Sequence, residues 1–289
     1  MKRRRSGFSL AEVLVATVLL GIIGGALTRL VVDQMRFFDT VQVSRGARSA
    51  ARNSMNVMLS ELRMVQDSGG ITAVANDNKS VTVNVPYRFG VFCGNAGGAT
   101  VVSMLPIDSM TLAMAQYAGY GWRSRTTGRY TMVPSTTAPV SSSSATQCTG
   151  TGATEAGIAT ITINGRPGAV MDITPTMAST TTLGSPVMFY QSITYSFAAS
   201  SLYPGKVGLW RTVANGTSEE LMAPFTANAR FRYYQSGDDT SRTAAPALSN
   251  IRGLALVLHA EGARTPVGQS AATQAKMMTS VFFKNTRSF

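Results

Sequence analysis

A single carboxylate, that of Glu12, lies near the start of a long apolar stretch in this chain of 289 residues. A carboxyl group inside a bilayer costs on the order of 2.5 to 3.5 kcal/mol on insertion scales, and such residues are usually functional. The chemistry expected of Glu12 is the neutralisation of an amine. An amine at the position of Phe8, four residues upstream, would lie on the same face of a helix.

The sequence contains no familiar catalytic set: it has no phosphate loop ending in Gly-Lys-Ser/Thr, no His-Glu-x-x-His and no Gly-x-Ser-x-Gly. The lone histidine, His259, ends an apolar run without acid–base partners nearby, which favours a structural role. Asp238 and Asp239 could touch a calcium ion, but two acids in a turn are more often simply solvated. We therefore predict that the chain is not an enzyme and has no metal site or cofactor.

The two cysteines, Cys93 and Cys148, permit one disulfide. An even cysteine count in an exported protein favours such a bond, which would close a loop of about 55 residues and contribute about 4 kcal/mol in the chain-entropy model. The alternative is two buried free thiols. Neither a Cys-x-x-Cys spacing nor partner histidines support a metal site.

One stretch interleaves aromatic and basic residues and is a candidate nucleic-acid surface. Aromatic rings can stack on bases while arginines neutralise phosphate. The alternative is that these aromatics belong to the core of a β-rich domain. The residues are Tyr117, Tyr120, Trp122, Arg123, Arg125, Arg129 and Tyr130.

The apolar stretch predicts a membrane helix. From Phe8 to Val32, about 25 residues carry one acid and one base, Arg29, and as a helix they span about 37 Å, enough for the hydrocarbon layer of about 30 Å. The basic residues 2–5 precede this stretch and should stay in the cytoplasm, which predicts a single pass with an exported body. A secretory signal would instead place a small-x-small cleavage site after its apolar core.

Composition agrees with export. Only 14% of residues are charged, unlike the coat of a heavily charged intracellular enzyme. The net charge is +12, and without residues 1–7 the remaining 22 basic and 14 acidic residues give +8. That charge could favour anionic lipid, DNA or acidic sugars, but it names no partner.

The basic leader, Gly7, Phe8 and then Glu12 as fifth residue of the mature chain resemble the class III signal of type IV pilins and pseudopilins. The resemblance implies that a prepilin peptidase cuts between Gly7 and Phe8 and that Phe8 becomes N-methylated. It also implies that Glu12 neutralises the amine of a neighbouring subunit during assembly. The alternative is a carboxylate merely favoured by the start of a helix.

Two further features of the stretch concern packing. Gly21 and Gly25 form a small-xxx-small pair that allows close helix contact, although tolerated flexibility would also explain it. Many major pilins have a kinking proline near the position of Arg29, whereas the first proline here is Pro86. This departure fits a minor subunit better than a major one.

Beyond the membrane, an amphipathic helix is predicted over residues 33–66. The apolar residues recur at alternating spacings of three and four and end near Val65, before the breaker cluster 67–70. Arginines 45, 48 and 52 occupy another face, interpreted first as solvated or filament-lining and alternatively as a nucleic-acid patch.

Residues 67–289 change to short β-rich runs and predict an antiparallel head. Pro204-Gly205 predicts a tight hairpin turn, because proline presets one turn dihedral and glycine accepts a positive φ. The stretch of about 124–185, rich in Ser and Thr, predicts exposed loops or an insert rather than core. The predicted runs are 81–85, 87–92, 100–105, 158–163, 193–197, 207–213, 229–234 and 251–259.

A second resemblance lies in the head, to PilW-type minor pilins and GspJ-type pseudopilins. It rests on the order of short segments, among them Leu209-Trp-Arg211, Phe231-Arg-Tyr-Tyr234 and Ser280-Val-Phe-Phe-Lys-Asn285. Lys284-Asn285 stands where that family more often has Arg-Asn.

Together these features predict an α+β, pilin-like fold with a long N-terminal helix packed on an antiparallel sheet. The resemblance implies a minor pilin or pseudopilin of a type IV pilus or type II secretion pseudopilus, first in the inner membrane and then in the filament. Its expected partners are other pilin subunits, the prepilin peptidase and the inner-membrane assembly platform. The alternatives are a competence-type pilin that binds DNA and an exported enzyme tethered by the helix.

Overall fold

The computed structural model describes residues 9–124, 126–144, 148 and 161–283. Gly7 and Phe8, the predicted processing site, lie outside the described residues. So do Arg125 of the predicted nucleic-acid surface and Lys284-Asn285 of the head resemblance.

One long helix, α1 (Leu10–Leu62), runs from the apolar stretch into the head without interruption. Its length agrees with the sequence, since no proline lies between Leu10 and the turn at Arg63 and Met64. The last carbonyls bond in the tighter i+3 pattern, from Met64 N–H to Glu61 O (3.0 Å) and from Val65 N–H to Leu62 O (3.2 Å). Of the predicted amphipathic extension, residues 33–62 lie within α1 and residues 63–66 lie beyond its end.

After α1 the described chain is mostly strand, with a short helix α2 (Pro106–Thr111) and 3-10 turns at Leu112–Met114 and Leu248–Asn250. The strands are β1 (Ile71–Val74), β2 (Ser80–Ala96), β3 (Ala99–Met104), β4 (Gly119–Arg123), β5 (Tyr130–Pro134), β6 (Val140–Ser141), β7 (Thr162–Ile163), β8 (Arg166–Pro167), β9 (Ala169–Ile173), β10 (Pro186–Ala199), β11 (Val207–Val213), β12 (Ser218–Phe225), β13 (Arg230–Gln235), β14 (Ile251–Glu261) and β15 (Gln274–Phe282).

Thirteen of the strands in the described residues form one antiparallel sheet, and β7 and β8 form a separate pair. The long strands β2 and β10 pair along their length, from Ser80 opposite Ser196 to Val91 opposite Pro186, and are shared by two halves of the sheet. The helix-side half adds β1 and β11 to β15; the far half adds β3 to β6 and β9. This confirms the predicted α+β, pilin-like architecture.

The helix-side half makes the main core with α1. Period-two alternation on β2, β10 and β14 directs one set of side chains to the helix, and that set includes Val83, Tyr195 and Leu256. Ala47 and Ala51 face them from α1, and their small side chains let the helix approach the sheet closely.

The far half has a second core that does not include α1. It is built on Phe92, Met104, Tyr120, Ile173 and Phe189, with Tyr117 and Trp122 packed against it. The prediction that about 124–185 forms exposed loops or an insert rather than core is wrong for β9, whose Ile173 is 1% exposed, and residues 130–134 form the strand β5 rather than a loop. The physical reason is that short strands of mixed Ala, Met, Asp and Thr bury one face by pairing, which their composition does not reveal.

Of the local predictions in the head, the hairpin is confirmed, whereas two strands were not predicted. The hairpin at Pro204-Gly205 is confirmed, with Ala199 paired with Val207 and Gly205 at φ +77°. Sequence patterning missed β12 and most of β15 because residues such as Glu219 and Lys276 alternate with only weakly β-favouring partners. Of the predicted run 158–163, the described part forms only the two-residue strand β7.

Candidate functional site

The first part of α1 stands clear of the head except at Arg36, whose side chain lies beside Gly268 of the loop between β14 and β15. Every residue from Leu10 to Phe38 is exposed, and burial begins with Asp39. An 18-residue window of this helix has a mean hydropathy of 2.3, and none of it is buried. By length and composition it is able to cross a membrane, and its free apolar surface is about 43 Å long at 1.5 Å per residue.

Glu12 closes a capping box at the start of α1. Its carboxylate Oε2 accepts the Ser9 N–H at 2.9 Å, and the Ser9 hydroxyl accepts the Glu12 N–H at 3.2 Å. This arrangement satisfies two backbone donors that a helix start otherwise leaves free. Glu12 is exposed, so its carboxylate is open to a neighbouring group as well as to its own backbone.

Gly21 and Gly25 lie on the exposed part of α1. A Cβ atom added at either position would meet no other atom of the chain within 4 Å. The structure therefore gives these glycines no packing role inside the subunit. The surface they leave is open to a neighbouring helix.

The helix is hydrogen-bonded to the head at Asp39. The guanidinium of Arg264, in the loop between β14 and β15, donates to both carboxylate oxygens, with Nη1 3.0 Å from Oδ2. The Val267 N–H donates to the same Oδ2 at 2.9 Å. These bonds lower the pKa of Asp39, the Arg264 bond first and the Val267 bond second. The loop therefore clamps α1 at the point where the free helix ends.

A second polar contact joins α1 to the sheet at Glu61. Arg211 on β11 donates from Nε and Nη2 to the two Glu61 oxygens at 3.2 and 3.0 Å, and the buried Tyr195 hydroxyl donates to Oε2. Sequence reasoning missed Glu61, Arg211 and Asp39. One signal in the sequence could have indicated the contact at Glu61: this acid lies on the same side of the helix as the apolar residues Met58 and Leu62.

Cys93 and Cys148 form a disulfide in the far half, with a Cα–Cα distance of 5.2 Å. Both residues are buried with Val101 of β3 in a small third cluster. The bond ties β2 to a residue of the Ser/Thr-rich stretch across 55 positions of sequence. It is the link that holds this stretch to the sheet near residue 148.

The described residues of the predicted nucleic-acid surface divide between the second core and the exposed β4–β5 hairpin. Tyr120 is fully buried, and Trp122 packs half-buried against the same core, so the prediction that these rings face a ligand was wrong for Tyr120. Arg123 is exposed and donates from Nε to Gly128 O at 3.0 Å, and Arg129 is exposed. The reason is that alternation along β4 directs Tyr120 inward and Arg123 outward.

His259 lies on β14 directly opposite Lys276 of β15. Burial lowers the pKa of His259, and the charges of Lys276 and Arg230 lower it further. Asp238 pairs with Arg242 at the loop after β13. No group of three or more His, Cys, Asp or Glu side chains within the described ranges could hold a metal ion.

Comparison with known proteins adds one finding. Residues 2–28 match the family model of the prokaryotic N-terminal methylation motif. No curated protein and no solved structure matches the chain. The match covers the leader and the first part of the free helix, which are the parts that carried the sequence resemblance.

An α+β head on a long helix with a free apolar half defines the class as pilin-like. The methylation motif at residues 2–28 supports a type IV pilin-like protein anchored in a membrane with an exported head. The motif implies processing by a prepilin peptidase and assembly with other pilins. Proteins built on it are structural rather than enzymatic.

Proposed function

We propose that this chain is a minor pilin or pseudopilin subunit that assembles by helix packing into a type IV pilus or a type II secretion pseudopilus. The observation that carries the proposal is the free apolar half of α1, exposed from Leu10 to Phe38 while the head is complete without it. Such a surface needs either lipid or other helices around it. In a subunit that moves from membrane to filament, this surface is covered first by lipid and then by the helices of other subunits.

The chain then divides by role. Residues 1–7 are a cleaved basic leader, residues 8–32 are the membrane and filament-core helix, residues 33–66 extend that helix to the head, and residues 67–289 form the exported head. The inner membrane holds the subunit in a single pass before the assembly platform transfers it to the filament.

Glu12 and the glycines supply the assembly contacts in this proposal. Once the chain is cut between Gly7 and Phe8, the new methylated amine of Phe8 carries a charge that a carboxylate can neutralise. Pairing of Glu12 with that amine on a neighbour fixes the axial register, because an unpaired carboxylate in an apolar bundle is costly. Gly21 and Gly25 allow the neighbouring helix to approach closely.

The clamp at Asp39 and the Glu61 pair support the same function. They fix the head to α1 at two positions along the helix, so that packing of the free helix also sets the orientation of the head. The helix between them carries no proline. A continuous helix of this kind transmits the register of the helix bundle to the heads.

The test is the mature N-terminus. We would measure intact mass and N-terminal sequence of the protein isolated from its native membrane, beside Gly7→Ala and the neighbouring control Ser6→Ala. A mature chain that begins with methylated Phe8 in wild type and Ser6→Ala, but not in Gly7→Ala, supports the proposal. A chain that begins at Met1, or a cut beyond the apolar stretch, would overturn it.

A further inference from the structure

We propose that the far half of the head binds a neutral saccharide in a cleft of about 900 Å³. A cleft of this volume lies within the range of about 300 to 1,000 Å³ typical of small-molecule sites. It is separate from α1 and from every residue assigned above to processing or assembly. The proposal therefore adds a binding function to a structural subunit.

The cleft lies beside the second core, where several connections of the far half converge. One wall is α2 with the 3-10 turn after it, and another is the segment 115–118 that leads into β4. The segment 134–139, which follows β5, and the end of β9 form the opposite side, while Asn215 reaches it from the turn between β11 and β12. Strand pairing and the second core hold these walls in place.

Two tyrosine hydroxyls at this cleft have unmet hydrogen-bonding capacity. The Tyr87 hydroxyl is buried and has no hydrogen-bond partner in the described structure. The Tyr117 hydroxyl lies beside Ser135 but likewise makes no hydrogen bond of standard geometry. A buried polar atom without a partner is costly, and native proteins contain few of them. Both tyrosines line the cleft, so the hydroxyls of a ligand bound there are candidate partners for these two groups.

Both tyrosines are held in the protonated form that can donate. Burial raises the pKa of Tyr87 to about 12 and raises that of Tyr117 as well. The Tyr117 ring is fixed by a tilted contact with Phe189, whose centroid lies 6.2 Å away. Each tyrosine therefore contributes a protonated hydroxyl at the cleft, and the Tyr117 ring has a defined position.

The rest of the lining selects for an uncharged ligand. No charged side chain lines the cleft in the described structure; its polar groups are hydroxyls and the amides of Gln116 and Asn215. A phosphate, sulfate or carboxylate ligand would enter without a counter-charge, which is unfavourable in a partly buried site. Rings flanked by uncharged donors and acceptors match the apolar C–H faces and hydroxyls of a sugar.

A peptide is the competing ligand and is less well matched. Peptides are commonly recognised through a strand edge, an amphipathic helix groove or capture of a charged end. The lining of this cleft offers side-chain hydroxyls and amides around a concave surface and no charge for a terminus. A neutral saccharide uses all of these groups at once.

The experiment uses the full-length protein in lipid nanodiscs on an array of immobilised glycans. The array carries neutral oligosaccharides of hexose and N-acetylhexosamine, their sialylated and sulfated counterparts, and a set of unmodified peptides. We expect binding to a subset of the neutral glycans and loss of that binding when a sialyl or sulfate group is added. Binding restricted to acidic glycans or to peptides, or no binding at all, would overturn the proposal.

Tyr87→Phe and Tyr117→Phe test the site itself, with Tyr203→Phe on the turn between β10 and β11 as the matched control. Each cleft variant removes one hydroxyl and should weaken binding to the best neutral glycan by roughly threefold to tenfold. Thermal stability should not fall, because neither hydroxyl has a partner to lose. Equal affinity of the three variants and wild type would show that the cleft is not where the saccharide binds.

Discussion

Arg211 of β11 and Glu61 of α1 form a two-pronged ion pair between the sheet and the helix, with N–O distances of 3.0 and 3.2 Å. Burial alone lowers the pKa of Arg211, but the hydrogen bonds and charge of Glu61 raise it by more. Burial and then the Glu61 charge raise the pKa of Tyr195, so that its hydroxyl remains a donor. The helix is thus held to the sheet by polar contacts as well as by its apolar stripe.

Replacing Glu61 with Ala should destabilise the head by about 2 to 3 kcal/mol, because Arg211 and Tyr195 lose their acceptor. This is below the cost of breaking a fully buried pair, about 3 to 5 kcal/mol. The reason is that the two side chains remain 16% and 22% exposed. Thermal unfolding followed by circular dichroism measures the change. The double variant Glu61→Met, Arg211→Met removes both charges and should lose less; an equal or larger loss would contradict this account.

Replacing Cys93 and Cys148 together with Ala should cost about 2 to 4 kcal/mol, because the unfolded chain regains the freedom of a 55-residue loop. We expect the loss in the far half, since the bond lies outside the core that α1 makes with the sheet. Hydrogen exchange should therefore increase in β3 and β9 and change little in β14. Mass analysis of wild type after thiol alkylation is the control, and two alkylated cysteines without reductant would refute the bond.

The Asp39 clamp should loosen in acid. Its folded-state pKa lies below the ordinary value, so the clamp stabilises fully above the unfolded-state pKa of about 3.9 and is lost as pH falls through the lower folded value. Protection factors of the loop 262–273 should be constant from pH 6 to about pH 4 in wild type and fall below that pH. Asp39→Asn should be loose throughout, while Asn in place of the exposed Asp33 should behave as wild type. A wild-type loop with pH-independent protection would be inconsistent with the clamp.

Glu12 has an observed role inside the subunit and a proposed one between subunits, and two variants separate them. Ser9→Ala removes the hydroxyl of the capping box at a cost of about 1 kcal/mol in helix stability but keeps the carboxylate. Glu12→Gln removes the charge. The proposed function predicts normal membrane insertion for both, with loss of filament incorporation only for Glu12→Gln, measured by immunoblot of sheared filaments against membranes. Equal incorporation of both variants would show that Glu12 serves only as a helix cap and has no role between subunits.

Gly262 lets the end of β14 approach α1. A Cβ atom at this position would lie 2.1 Å from Val43 Cγ1, so Gly262→Ala should cost about 1 to 3 kcal/mol through overpacking. Truncating the opposing side chain should relieve the clash, so the double variant Gly262→Ala, Val43→Ala should be more stable than Gly262→Ala alone. The melting temperatures of wild type, the two single variants and the double variant form a double-mutant cycle, which measures the coupling energy between residues 262 and 43. Strictly additive effects would show that the two residues do not interact.

Much of the helix could be predicted because its determinants are local. Hydrophobicity, the lack of proline and the position of Glu12 are properties of consecutive residues, and α1 follows from them. The Pro204-Gly205 hairpin was also predictable, since its turn dihedrals are set by the two residues themselves. The β5 and β9 strands were not, because their stability comes from pairing with distant partners rather than from their own composition.

The sequence by itself determined the N-terminal methylation motif, the apolar helix and the change from helix to β structure near residue 70, since each depends on short-range pattern. Only the tertiary structure decided which side chains of the head meet: Glu61 with Arg211, Asp39 with Arg264, and Tyr87 with Tyr117 at one cleft. The physical reason is that these contacts join residues far apart in the sequence, 225 positions for Asp39 and Arg264. No local rule specifies such register, which follows from burying both cores at once.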